Sequence, residues 1–261
     1  MDLGLKDKVI VVSGGGAGIG GAISRACLAE GARVVVLARR SSNVEEFLAE
    51  MEASHSACTF IEVELQDTER CREAIAEVEK RYGAIDGLVN NAGTNDRIGL
   101  ETGSVGEFVQ SLHRNLVHYY ALAHYALPAL KRSRGSIVNI SSKVALTGQG
   151  GTSAYAASKG AQLALTREWA AELLPCGIRV NAVIPAEVMT PLYKRLLDAT
   201  GEPEAQLEQI TRKIPLEHRM TLDTEIAAAV VFLLSATQSG HTTGQQLIVD
   251  GGYVHLDRAL T

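Results

Sequence analysis

The chain has 261 residues, 46% of them hydrophobic and 21% charged, a composition that suits a globular protein with one sizeable core. Its formal net charge is −5 and its pI about 5.8, and it has no basic block or basic–aromatic stripe, which argues against nucleic acid as a partner. The start, Met1 to Lys8, is too charged for a signal peptide, and the longest apolar run, Ile226–Leu234, falls short of the roughly 18 residues a membrane span needs, so the expectation is a soluble cytoplasmic protein.

Short β-branched runs alternate with longer helical patterns. The first strand, Val9–Val12, runs straight into Ser13-Gly-Gly-Gly-Ala-Gly-Ile-Gly20, and a helical pattern follows over Ile19–Glu30. Glycines between a strand and a helix let the backbone approach a pyrophosphate resting on the helix N-terminus. The register Gly14-x3-Gly18-x-Gly20 is preferred over the Gly16–Gly21 match, because it starts directly after the strand. Gly14, Gly16, Gly18 and Ile19 are the candidate phosphate-side contacts.

The second strand, Arg33–Ala38, ends in Leu37-Ala38-Arg39-Arg40. NAD binding expects an acid there, on the ribose 2′-hydroxyl. Ala38 removes that acid, and Arg39 and Arg40 offer guanidinium forks for a 2′-phosphate. The expected cofactor is therefore NADP, with NAD possible. A third strand (Thr59–Val63), a helix (Thr68–Tyr82) and a fourth strand (Gly87–Asn90) follow. The long pattern Val105–Lys131 holds His113, His118 and His124 with Tyr119, Tyr120 and Tyr125. It lacks an i, i+4 His pair, so an aromatic helix at a subunit interface is expected rather than a metal site.

After a fifth strand, Ser136–Ile140, come Ser142 and then Tyr155-x3-Lys159. Residues four apart share a helix face, so the Lys159 ammonium can lower the pKa of the Tyr155 phenol toward a value useful for proton transfer. Ser142 can hydrogen-bond the oxygen that gains or loses the proton. The same spacing also occurs on ordinary amphipathic helices. A sixth strand (Arg179–Val183) is followed by the long, polar, helical segment 185–220. That segment is read as a lid, since ligands bind at the C-terminal ends of parallel strands. A helix at Thr224–Leu234 and a seventh strand at Gln246–Val249 close the pattern. The whole reads as one α/β domain over residues 1–261, a Rossmann-type doubly wound parallel sheet of about seven strands. The four cysteines, Cys27, Cys58, Cys71 and Cys176, show no metal spacing and read as buried thiols.

Taken together, these motifs resemble the short-chain dehydrogenase/reductase family along essentially the whole chain. The carriers are Ser13–Gly20, Asn90-Asn-Ala-Gly93, Asn115, Ser142 in Asn-Ile-Ser-Ser, Tyr155-x3-Lys159 and Asp250-Gly-Gly252. The resemblance implies that Tyr155 is the acid/base, that Lys159 lowers its pKa and binds the nicotinamide ribose, and that Ser142 orients the substrate oxygen. Asn115 would hold a helix bulge and a relay water. Asn91, Ala92 and Gly93 would line the adenosine side, Glu64 and Leu65 the adenine, and Pro185, Val188 and Thr190 the nicotinamide side. Three departures stand out: Ser13 where Thr is usual, Glu64-Leu65 where Asp-Val is usual, and Pro185-Ala186-Glu187 where Pro-Gly is common. A homotetramer is also implied.

Residues beside the catalytic positions bear on the substrate. Asn95, Asp96, Lys143, Gln149 and Glu187 supply two carboxylates, two amides and an ammonium, which suit a compact polyol better than an acyl chain or steroid. At finer grain the segments 63–67, 90–96, 141–149, 183–193 and 252–260 are similar to the L-fucose dehydrogenases of that family. This implies oxidation of the anomeric hydroxyl of L-fucose or a related aldose to the lactone. Alternatives are a carbonyl reductase or dehydrogenase of another polar alcohol or keto substrate, such as a keto-acyl compound, and a catalytically silent NADP-binding regulatory protein. The tail Tyr253–Thr261 is a candidate to reach a neighbour's site, with Tyr253 or His255 near the lid.

Overall fold

Strand and helix alternate because apolar β-branched runs of four to seven residues must be covered on both faces. The computed structural model describes residues 2–198 and 201–256. Its elements are β1 (Val9–Ser13), α1 (Gly18–Ala29), β2 (Arg33–Ala38), α2 (Ser42–Ala53), β3 (Cys58–Glu62), α3 (Thr68–Tyr82), β4 (Gly87–Asn90), α4 (Val105–Leu112), α5 (His118–Ser133), β5 (Ser136–Ile140), α6 (Ser153–Leu173), β6 (Arg179–Pro185), α7 (Pro191–Asp198), α8 (Pro203–Thr211), α9 (Asp223–Leu234) and β7 (Gln246–Val249). The strands form one seven-stranded sheet in the order β3-β2-β1-β4-β5-β6-β7, and every pairing is parallel.

Side chains alternate across the strands, so β1 feeds two cores. Val9 and Val11 join one with Ile75, Leu122 and Trp169, while Ile10 and Val12 join the other with Ile23, Phe47 and Val230. Strand order reverses between β1 and β4, since β1 pairs with β2 on one side and β4 on the other. Ligands bind such sheets outside the strand C-termini at this switch point, and all the candidate motifs leave the sheet at that edge. The chain from 185 to 220 carries α7 and α8.

The pattern read as one run over Val105–Lys131 is two helices joined by a π-turn at His113–Val117. A π-turn widens the helix by one residue, and such turns cluster at functional sites. Cys27 and Cys71 are fully buried, whereas Cys58 and Cys176 are half-buried. Burial raises the Cys27 thiol to about 12 and the Cys58 thiol to about 11. Among the described residues no helix is long and apolar enough to cross a membrane, and no group of three or more His, Cys, Asp or Glu is placed to hold a metal ion.

Candidate active site

The glycine loop closes a cradle at the end of β1. Gly14 has φ +65°, in the left-handed region that favours glycine. A Cβ on Gly20 would lie 2.1 Å from the Gly14 carbonyl oxygen, and one on Gly16 would lie 3.0 Å from Val44. The N-cap of α1, Ala17, provides no side-chain bond to the first turn, so those N–H groups point into the cradle, as an anion site requires. Ile19, the second residue of α1, packs on the core. Across the groove a Cβ on Gly18 would meet the Thr190 side chain at 3.4 Å, which sets the loop after β6 beside the loop after β1. The cradle therefore fits a dinucleotide pyrophosphate.

Ser13 ties this loop to the next strand. Its Oγ accepts from the N–H groups of Asn91 and Ala92 at 2.9 and 3.2 Å, and Asn91 Nδ2 donates to the Ser13 carbonyl at 2.9 Å. A serine hydroxyl thus does the bonding expected of the usual threonine. Pro185 ends β6, and buried Val188 makes a parallel bridge to Thr221. Leu65 packs against the core rather than standing open to a ligand. Arg39 and Arg40 are not open forks either. Arg40 is held by Glu45 and Glu62 and lies over the Phe60 ring. Arg39 meets Glu64 at a long 3.4 Å and stays 73% exposed.

The candidate proton-transfer group lies at the ends of β4 and β5. Tyr155 and Lys159 share a face of α6, and the Lys159 Nζ is 5.5 Å from the Tyr155 ring centroid. The ammonium donates to the Ile140 carbonyl at 2.8 Å and to the Tyr119 hydroxyl at 3.5 Å. The Tyr119 hydroxyl itself donates to the same carbonyl at 3.0 Å. Ser142 is hydrogen-bonded to Tyr155 and draws its pKa down, but burial pushes the phenol up more strongly and the Asp96 carboxylate adds to it, reaching about 12. This departs from the lowered phenol expected of the spacing. The physical reason is that burial outweighs Ser142 and the ammonium is aimed at a carbonyl. Burial alone pulls Lys159 down to about 7.

Asn115 sits fully buried in the π-turn. Its Oδ1 accepts from the Thr94 N–H at 2.7 Å and its Nδ2 donates to Ser111 at 3.2 Å. A Cβ on Gly93 would meet that Oδ1 at 3.0 Å and Lys159 Nζ at 3.8 Å, so Gly93, Asn115 and Lys159 converge. The Asn115 carbonyl accepts from Gln162 Nε2 at 2.7 Å. Gln162 was not among the sequence candidates. Its signal was an amide three residues after Lys159 on the inner face of α6.

On the substrate side the five candidates divide. Asp96 Oδ2 accepts from Arg114 Nη1 at 3.1 Å, and its Oδ1 is buried with no partner among the described residues. Asn95 is exposed and spends its Oδ1 on the Arg97 N–H, and Gln149 is exposed. Lys143 and Glu187 are nearly buried and pair with each other, and the second Glu187 oxygen accepts from the Tyr193 hydroxyl at 2.7 Å. The two sequence candidates for substrate contact are thus paired with each other in the structure. Tyr253 places its ring 4.2 Å from Lys143 Nζ; His255 is exposed, and positions 257–261 of the tail lie outside the described residues. Of the histidines, His118 is buried with Nε2 on the Arg114 carbonyl at 3.0 Å, and burial pulls it to about 4. His124 stacks on Tyr120.

The cradle and the phenol each generate a prediction. Gly20→Ala, whose Cβ would lie 2.1 Å from a backbone oxygen, should lower stability by about 1–3 kcal/mol and weaken dinucleotide binding at least about tenfold; thermal melting and equilibrium dialysis read the two effects. Because the Tyr155 phenol is raised, the phenolate fraction grows as pH rises. Alcohol oxidation should therefore keep climbing through the alkaline range without levelling at about pH 10, while carbonyl reduction, which needs the phenol proton, should not. A pH–rate profile in both directions checks the opposite signs.

Residues 14–254 match the family described as Enoyl-(Acyl carrier protein) reductase. The L-fucose dehydrogenase of Bos taurus is 37% identical over 94% of this chain and 88% of its own length. The crystal structure of Cj0485 dehydrogenase superposes with TM-score 0.94 at 44% identity, covering 100% of this chain and 99% of that one. The ligand-free aldohexose dehydrogenase of Thermoplasma acidophilum superposes with TM-score 0.88 at 32% identity, covering 99% of this chain and 98% of that one. With its parallel sheet, its glycine cradle and Ser142, Tyr155 and Lys159 converging at the strand ends, the chain belongs to the short-chain dehydrogenase/reductase family of NAD(P)-dependent oxidoreductases.

Proposed function

We propose that the protein oxidises the anomeric hydroxyl of an aldose, L-fucose or a sugar of related stereochemistry, to the aldonolactone, with NADP as the preferred hydride acceptor. The observation that carries the substrate class is Asp96. One oxygen is held by Arg114 and the other is buried with no partner among the described residues, close enough for its charge to act on Tyr155. A buried acceptor left unpaired costs about 1–3 kcal/mol, more when charged. A sugar hydroxyl beside the reacting carbon satisfies it by donating; an acyl chain has nothing to donate there. The similarity to L-fucose and aldohexose dehydrogenases supports the same class.

The chain's residues have distinct tasks in this reading. Ser142 and Tyr155, hydrogen-bonded to one another, receive the C1 hydroxyl between them. Tyr155 takes the hydroxyl proton as the C1–H bond gives up its electron pair, and the C1–O bond becomes a carbonyl. Lys159, fixed by Ile140 and Tyr119, holds the charge that makes a phenolate tolerable in a buried site. Asp96 and Arg114 orient the ring. When bound, an oxidised nicotinamide supplies the hydride acceptor and a positive charge beside the phenol.

A panel of L-fucose, D-arabinose and L-galactose against NAD and NADP tests the reading, with reduced cofactor as the signal. Tyr155→Phe should lower kcat/KM by about a thousandfold and leave cofactor Kd nearly unchanged. Retained turnover rules out the mechanism. Preferential reduction of a keto-acyl thioester would favour the carbonyl-reductase reading over sugar oxidation.

The cofactor preference rests on Ala38 and Arg39. No acid stands at the end of β2, and Arg39 is exposed and only loosely held by Glu64, while Arg40 is committed elsewhere. Arg39→Ala should raise KM for NADP about tenfold, the worth of one charge-assisted hydrogen bond, and leave KM for NAD within about twofold. Equal kcat/KM for the two cofactors in the unaltered protein would overturn the preference.

A further inference from the structure

Lys143, Glu187, Tyr193 and Tyr253 come from four separate segments. Lys143 follows Ser142 after β5, and Glu187 lies two residues beyond β6. Tyr193 is in the first turn of α7, and Tyr253 is in the turn after β7. Lys143 pairs with Glu187, both side chains being only 10% and 14% exposed. The second Glu187 oxygen accepts from the Tyr193 hydroxyl at 2.7 Å. The Lys143 ammonium faces the Tyr253 ring at 4.2 Å, within the range of a cation–π contact.

Each partner is held from behind. The Tyr193 N–H donates to Thr190 Oγ1 at 3.2 Å, which fixes the start of α7. The Glu187 carbonyl accepts from the Thr221 N–H at 3.0 Å. Asp250 accepts from the N–H groups of Gly252 and Val254, both at 2.8 Å, and so shapes the turn that presents Tyr253. The cluster shares backbone with Ser142 on one side and with Thr190 on the other. Burial and the Glu187 carboxylate raise the Tyr193 phenol, so it stays a donor to Glu187.

We propose that these four residues form a latch that holds α7 and the C-terminal turn closed over the substrate side of Tyr155, and that Tyr193 and Lys143 act as positioning residues for substrate rather than as ligands to it. The latch deepens the sugar-oxidation reading and rests on it for the identity of what is enclosed. A buried ion pair fits this role, since removing one partner strands the other charge. It is also little screened by salt.

The test uses Tyr193→Phe, Lys143→Met and the double variant in the full chain. Hydrogen–deuterium exchange reads residues 187–198 without any substrate, and steady-state kinetics reads the sugar. Each single variant should speed exchange in that segment and raise sugar KM about five- to tenfold, with kcat within about twofold and cofactor Kd unchanged. Because both act through one network, the double variant should raise KM no more than about twofold beyond the larger single effect. Glu187→Gln, which keeps an acceptor for Tyr193 but strands the Lys143 ammonium, should match Lys143→Met in both readouts. Unchanged exchange in both single variants overturns the latch, and so do additive KM effects. Faster exchange with unchanged KM overturns its role in holding substrate. Failure of the unaltered protein to oxidise any aldose would instead remove the sugar reading, and the exchange result would still stand or fall alone.

Discussion

The site is organised around an ammonium buried without a carboxylate. Lys159 is 3% exposed, and burial is the sole cause of its depressed pKa. Placing an ion in such surroundings costs several kcal/mol even after relaxation. A carbonyl and a hydroxyl meet its donors, and among the described residues no carboxylate pairs with it. Across the face of α6 the Tyr155 phenol is driven the opposite way by the same burial. Each group alone resists its charged form, and each charged form stabilises the other. The pair can exist as two neutral groups or as phenolate with ammonium, states that carry the same number of protons. In the proposed oxidation the second state is the one that accepts a proton from a substrate.

The surrounding polar network keeps that ammonium in one place. The inner face of α6 carries Ser158, Lys159, Gln162 and Thr166, all buried. Asn90 donates to Asn139 at 3.0 Å, Asn139 to Thr166 at 2.9 Å, and Thr166 to the Gln162 carbonyl at 2.8 Å. Gln162 then holds the Asn115 carbonyl, and Asn115 holds the loop after β4 through Thr94. The chain of bonds runs from β4 through β5 and α6 to the π-turn and back to β4. The network is not complete, since Asn90 Oδ1 and Gln162 Oε1 are buried without a partner among the described residues, but its bonds join the four segments in one arrangement. The π-turn is what aims both ends of Asn115 inward.

Much of this was legible in the sequence, for identifiable reasons. Strand positions followed from β-branched runs, and four of them, β2, β4, β5 and β7, match to the residue. The glycine spacing located the cradle because only particular positions there tolerate no Cβ. Tyr155-x3-Lys159 located a shared helix face because helical periodicity is local. The break in Val105–Lys131 was not legible, since a π-turn leaves the hydrophobic pattern continuous. The direction of the Tyr155 shift was not legible either: it depends on burial, and the ammonium's aim depends on where the Ile140 carbonyl falls. The two arginines after β2 looked like phosphate forks because sequence does not show that Glu45 and Glu62 fold back onto Arg40.

The charges on the substrate side show the same limit and also resolve it. Lys143 and Glu187 read from sequence as two polar ligands. They leave adjacent parallel strands, whose ends are tied by the Ser141 N–H donating to the Val183 carbonyl at 2.9 Å, and each lies two or three residues beyond its strand. Opposite charges so placed find each other before they find a ligand. Asp96 has a different geometry. Arg114 reaches it from the π-turn and bonds one oxygen only, and the other points inward unpaired among the described residues. In the proposed reading, recognition of a hydroxyl falls to an acceptor that the fold buries and does not itself satisfy, because a missing donor there is penalised. On that reading the paired charges shape the enclosure, and the half-paired one reads what is inside it.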